Sequence, residues 1–343
     1  MDRRDFLRTT GGFAAAAGCA AIPSAAKASA ATAEVRRTRT FGFPWSSSPA
    51  GYADDGQRLA LRIRMLLDTD DFEIRSGTAG ATEFAFSPVP SDAALHPAFA
   101  FFGGLPGGEV LAPRDLESWV LTGGGQALWD ELGSRHGFKP LLAGHTGSHA
   151  VLWSRKPLIN PEDLAGRRVI ARGLDADVVR ALGAFPVTGD ETQLEAALAS
   201  EDIDAVIWGS LVHASAAGIP SRFPFGIAGA LGSAGGALAL RVRLDTWEQL
   251  TPAQQSAIEG AAVSEFRTSL SDAEATRPFV ESALSKRWNI MMVRPSPEFT
   301  DAVSRIAAAV VAHAAAHDPL ASRIDQSYAT YRRAVIPASQ IVA

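Results

Sequence analysis

Short apolar runs alternate with amphipathic helical stretches from residue 41 to residue 315, and this alternation is the strongest constraint on the fold. Residues 41–45 read as an opening strand that runs into the Ser46-Ser47-Ser48-Pro49 loop. Residues 54–67 place Leu59, Ile63 and Leu66 on one helical face, with Arg58, Arg62 and Arg64 largely off it. Residues 72–75 and 82–86 read as short strands around a Gly77/Gly80 turn. Helices follow from Arg114 and Gln126, and strands at 140–143 and 151–154.

The second half continues the pattern. Asn160-Pro161-Glu162-Asp163-Leu164 has the capping side chain and first-turn proline of a helix start. Residues 168–172 and 205–208 read as strands, and 175–182 and 191–198 as helices. Gly226 to Leu240 is apolar but too short and glycine-rich to span a membrane, and reads as a loop feeding a buried strand at 237–241. Thr251-Pro252-Ala253-Gln254 has capping-box spacing and opens a long helical region toward Lys286. A strand at 290–293 and an Ala-rich helix at 297–315 complete the series. No repeat of fixed period interrupts it. Such alternation implies an α/β architecture with two sheets, and 343 residues suffice for about two domains of roughly 150 residues each.

Composition narrows the class. With 47% hydrophobic residues the chain is not a disordered one, and a single cysteine excludes a disulfide scaffold. The 32 basic against 37 acidic residues argue against a general binder of nucleic acid or anionic membranes.

The N-terminus reads as an address. Arg3-Arg4 precede Phe6-Leu7, and a weakly apolar Gly/Ala stretch runs from Gly11 to Ile22, the pattern of a twin-arginine export signal over residues 1–30. Ala28-Ser29-Ala30 offers the small-residue cleavage site. The lesser alternative is lipidation at Cys19, where Ala16 stands in the position usually held by Leu. Loss of residues 1–30 takes four positive and two negative residues off a formal charge of −5, leaving −7 and no cysteine. That suits an oxidising, periplasmic compartment.

Catalytic constellations are scarce. The sequence has no phosphate-binding Gly-x-x-x-x-Gly-Lys loop, no His-Glu-x-x-His helix and no Gly-x-Ser-x-Gly elbow. Gly123-Gly124-Gly125 reads as a helix–helix turn. His313 and His317 are four apart, but no third metal ligand accompanies them, and His145 and His149 fall in a Gly-rich segment where helical geometry is doubtful. The scan points to a binder rather than an enzyme, with no cofactor.

Several segments then carry a family likeness. Residues 97–108 read PAFAFFGGLPGG, residues 124–132 GGQALWDEL, residues 143–147 AGHTG, residues 153–157 WSRKP and residues 160–166 NPEDLAG. Residues 182–187 (LGAFPV), Ile203-Asp204-Ala205 and Trp208 continue the order. Together they resemble the TRAP-transporter solute-binding proteins (DctP-like). The resemblance implies a two-lobed periplasmic binding protein fold with hinge strands and a long connecting helix. Residues 36–148 and 236–270 would form lobe I, and 149–235 and 271–343 lobe II. It also implies a small organic solute, most readily a carboxylate, delivered to TRAP-type membrane permease subunits by a monomer or homodimer. The alternative is an exported interaction or sensory protein on the same fold that has lost carboxylate binding.

The family pattern breaks at the site. The arginine that usually clamps the ligand carboxylate corresponds here to Ile170. Arg168 and Arg172 lie two residues to either side and would share one face of a strand, so either could substitute, Arg172 being nearer the strand end; otherwise both face solvent. The resembled branch can hold a cation through a glutamine and a glutamate, positions occupied here by His149 and Ile207; an isoleucine offers no oxygen ligand, so no metal is expected. Trp45, His145, His149, Ile170, Trp208 and Phe225 would line the cleft. Such an apolar lining suits a ligand larger or less charged than usual.

Overall fold

The computed structural model describes residues 38–45, 52–77, 82–107, 110–147, 151–189, 191–228, 231, 236–286 and 290–341. The export-signal and Cys19 readings, His149 and most of the Gly77–Gly80 turn therefore lie outside the described residues.

In chain order, β1 (Arg39–Phe43) leads to α1 (Tyr52–Leu66), β2 (Phe72–Ser76) and β3 (Phe84–Pro88). Two 3-10 turns, Val89–Ala94 and Pro97–Phe99, then α2 (Ala100–Gly103), α3 (Pro113–Leu121) and α4 (Gly125–Ser134) precede β4 (Phe138–His145). The chain continues through β5 (Val151–Ser154), β6 (Arg168–Ile170), α5 (Gly173–Ala181), β7 (Phe185–Val187), α6 (Glu191–Leu198) and β8 (Ala205–Ile207). Next come α7 (Leu211–Ala216), α8 (Ile219–Arg222), β9 (Phe225–Ala228), β10 (Ala237–Arg243), α9 (Leu244–Gln249) and α10 (Pro252–Lys286). β11 (Met291–Val293), α11 (Pro297–Ala315) and α12 (Pro319–Ile341) end the described chain.

The strands form two sheets, ordered β2-β1-β3-β10-β4 and β11-β9-β5-β8-β6-β7. In the first, β1 runs parallel to β2 and β3, while β10 is antiparallel to both β3 and β4. The C-terminal ends of β1, β3 and β4 therefore share one edge. In the second, β6 is parallel to β8, and β5 is antiparallel to β8 and β9, so the C-terminal ends of β6, β8 and β9 also share one edge. Open α/β sheets take their ligands at such carboxyl ends.

Two passages of chain cross between the sheets at these ends, one from β4 to β5 and one from β9 to β10. They are tied together: Thr146 N donates to the Gly236 carbonyl (3.0 Å), and Gly236 N donates to Thr146 Oγ1 (2.9 Å). Helix α10 is the third connection. Its 35 residues extend about 52 Å at 1.5 Å per residue. Ile258 and Ala262 pack with the first sheet's Phe43, Phe86 and Leu240, whereas Leu284 packs with Trp153 and Val206 of the second. Thr251 caps it as the spacing predicts, its Oγ1 accepting from Gln254 N (3.3 Å) while Thr251 N donates to Gln254 Oε1 (3.0 Å). Among the described residues no helix is long and apolar enough to cross a membrane.

Three expectations need adjustment. Asn160 and Asp163 do form a capping box, but it opens only the single 3-10 turn Pro161–Leu164. The strand read over 168–172 stops at Ile170, because Gly173 turns the chain with φ +52° into α5. Helix α12, assigned by the sequence reading to lobe II, packs through Leu320, Ile324 and Tyr328 on the aromatic cluster of Phe101, Phe102, Trp119 and Trp129 beside the first sheet.

Candidate functional site

The two carboxyl edges meet in an aromatic stack. Trp45 follows β1, and its ring stacks on Tyr52 at the start of α1 (centroids 4.9 Å apart). Tyr52 stacks in turn on His213 of α7, 4.0 Å away and only 8° from parallel. First-sheet and second-sheet side chains thus form one column. Gly209, immediately after Trp208, makes the close approach possible: its φ is +48°, and a Cβ there would collide with Tyr52 Oη.

Two histidines are buried here, His213 within the column and His145 at the end of β4. His145 ends β4; its Nδ1 accepts from Gly147 N (3.1 Å), which leaves Nε2 as the protonated nitrogen of the neutral ring. Its own N–H donates to Ser269 Oγ on α10 (2.9 Å). Burial, with His213 as a lesser cause, pushes the His145 imidazole down to about 3. His213 Nδ1 stands 3.0 Å from the Thr146 carbonyl, so that nitrogen carries the proton and donates; Ser210 Oγ is also 3.0 Å from it. Burial pushes His213 down to about 4, against the hydrogen bond to Thr146, which acts the other way. Both rings are neutral near pH 7. Gly147 (φ +89°) lets this segment lie against α10, since a Cβ there would fall 2.7 Å from Ala273 Cβ.

The cation of the site is Arg172. It is the N-cap residue of α5, just beyond β6, and its guanidinium carbon stands 4.2 Å over the Trp208 ring. The indole N–H groups of Trp45 and Trp208 are buried without an acceptor among the described residues. Trp129 and Trp153 share that property, and all four indoles lie in apolar clusters, Trp208 in the same one as Trp153, so the orphaned donor alone does not mark a site; the Arg172 guanidinium over its ring sets Trp208 apart. One turn along, Asp175 N donates to the Arg172 carbonyl (3.1 Å), and burial pushes the Asp175 carboxyl up to about 7.

The residues expected from sequence divide accordingly. Arg172, Trp208, Trp45 and His145 come together at the carboxyl edges. Arg168 does not join them: it begins β6, is exposed, and lies 3.4 Å from Asp202, so the shared strand face is not realised. Ile170 packs in one apolar cluster with Leu194, Val206, Leu211 and Trp208 itself, whereas Ile207 packs in another with Leu152, Val169 and Ile227. Phe225 is at the wrong end of the sheet. It pairs with Ser154 opposite Ala205, whereas Ala228 pairs with Val151 at the Trp208 end. Tyr52, His213, Ser210 and Asp175 escape a sequence reading, because no local spacing announces a contact between Tyr52 and a residue over 150 positions away.

The resemblance allows a cation, and at one of its two ligand positions Ile207, an apolar core residue, offers no oxygen; the other, His149, lies outside the described residues.

No family model matches the chain. Solved structures do. A TRAP transporter solute-binding protein from Bordetella bronchiseptica, with copurified calcium and picolinate, is 21% identical with a TM-score of 0.80, over 88% of this chain and 94% of its own. A TRAP periplasmic solute-binding protein from Pseudoalteromonas atlantica with bound sodium and pyruvate is 21% identical with a TM-score of 0.79, over 88% and 96%. One from Rhodobacter sphaeroides, in an apo open structure, is also 21% identical but has a TM-score of 0.61, over 86% and 97%. The chain has the two-lobed fold of the TRAP-transporter periplasmic solute-binding proteins.

Proposed function

We propose that the chain is a periplasmic solute receptor of a TRAP-type transport system, not an enzyme, and that it holds a small organic carboxylate between its lobes. The observation that carries this reading is Arg172, a cation held over the Trp208 ring at the carboxyl edge of the second sheet. A guanidinium can pair with a carboxylate through two parallel hydrogen bonds, and the apolar surroundings strengthen that pairing. The indole N–H groups of Trp45 and Trp208 supply further donors. The neighbours with picolinate and pyruvate support a carboxylate as the ligand class. Delivery to membrane permease subunits, export by the twin-arginine route and a monomeric or homodimeric state belong to the same reading, as does binding without a cation.

The arrangement of the lobes supports a closed, ligand-holding state. Similarity is higher to the neighbour with pyruvate than to the apo open one at equal identity, and the Trp45–Tyr52–His213 column joins both sheets. The test is a thermal-shift screen of the full chain with pyruvate, picolinate and straight-chain carboxylates, repeated on Arg172→Gln. A bound acid at 100 times its Kd should stabilise the wild type by about 2.7 kcal/mol, and the variant should lose most of that shift. No shift with any acid would rule the reading out.

A further inference from the structure

A cavity of about 390 Å³ opens on the outer side of Arg172, between the 3-10 turn Val89–Ala94 and the first turns of α5. Pro90, Ala93, Pro97, Ala171 and Ala176 give it a largely apolar lining, to which Arg172 and the polar Ser91, Asp177, Arg180 and Thr188 also contribute. The two walls belong to different sheets and meet where Gly173 (φ +52°) approaches the Pro90 carbonyl; a Cβ there would fall 2.9 Å from that oxygen. The first wall is anchored, since Asp92 in the same turn is buried and pairs with Arg241 of β10 at 2.8 Å. At the rim, Arg180 is already paired with Asp177.

From this arrangement we infer that the ligand is a monocarboxylate with an unbranched apolar tail, its carboxylate on Arg172 and its tail in this cavity. The inference rests on the carboxylate reading above and extends it to the ligand's other end. Alanine and proline walls offer a tail contact without hydrogen-bonding demands, and the volume is within the range of small-molecule sites. A second carboxylate beside Arg180 would meet the Asp177 carboxylate, which disfavours dicarboxylates.

Calorimetric titration of the full chain with acetate, butyrate, hexanoate and succinate tests this. Affinity should rise by about fourfold for each methylene placed in the cavity, and succinate should bind more weakly than butyrate. In Ala93→Phe, which fills the cavity, the hexanoate-to-acetate ratio should collapse toward one. A wild-type affinity that stays flat or falls with chain length would overturn the inference while leaving the carboxylate reading in place. Failure of every acid to bind would overturn both. The wild-type series needs no variant, so misfolding of Ala93→Phe cannot obscure the result.

Discussion

Asp175 lies one turn beyond Arg172, with its Oδ1 shut away from solvent and unpaired, and burial pushes its carboxyl up to about 7. The folded chain therefore holds a proton there that the unfolded chain, with an ordinary carboxyl near 3.8, has released. Stability falls as pH rises from about 4 to 7, and the loss is complete above that window. At about 1.4 kcal/mol per unit the penalty is at most ~4 kcal/mol. His145 and His213 act in the opposite sense, since their depressed values make stability rise with pH up to about 6.5. The wild-type slope thus mixes both effects, while a difference against Asp175→Asn isolates one. That variant should match the wild type near pH 4 and exceed it in Tm by pH 8; a Tm difference constant across pH would refute the assignment. The neighbouring arginines show what sequence alone withholds. Arg168 and Arg172 look equivalent by strand parity, but β6 ends at Ile170 and Gly173 swings Arg172 over Trp208.

Among the elements, α10 depends most on a charge buried inside it. Glu265 is fully buried and receives Arg58 Nε at 2.9 Å and Arg62 Nη1 at 3.2 Å, fastening α1 to the helix that spans both lobes. Asp55 stands beside the same guanidinium, pushed up to about 7 by burial. Removing the Glu265 charge would leave Arg62 without this partner and Arg58 with Asp55 and Asp272 alone, and because both arginines are partly solvated the loss should be about 1–3 kcal/mol. Glu265→Gln should lower the denaturant midpoint without changing the slope; a change under about 0.5 kcal/mol would show that the pair contributes nothing. Local chemistry made this level largely legible: the Thr251–Gln254 box is realised and Leu59 and Ile63 are buried, although Leu66, read on the same face, is exposed at the end of α1. Strand direction was not legible. Phe225 is displaced from the site because β9 runs with β8, which brings Ala228, not Phe225, to the ligand edge.

For the molecule as a whole, two sheets present their carboxyl edges to each other, joined by two hydrogen-bonded crossings and one long helix. On the proposed reading a ligand would bias an open–closed equilibrium, because only a closed form would offer both walls at once. The two-sheet plan follows from the β/α alternation, yet the contact that joins the lobes, Tyr52 on His213, unites residues that share no local pattern. The packing of helix α12 shares no local pattern either: its partners Trp119 and Phe101 lie some 200 residues earlier. The central claim is that Arg172 holds a carboxylate between the lobes without help from a cation. Isothermal titration of the full chain with the strongest acid of the screen, with and without chelator, on wild type and Arg172→Gln, tests it directly. The account predicts at least a tenfold loss of affinity in the variant and no effect of chelator; equal affinity in Arg172→Gln, or loss on chelation, would contradict it.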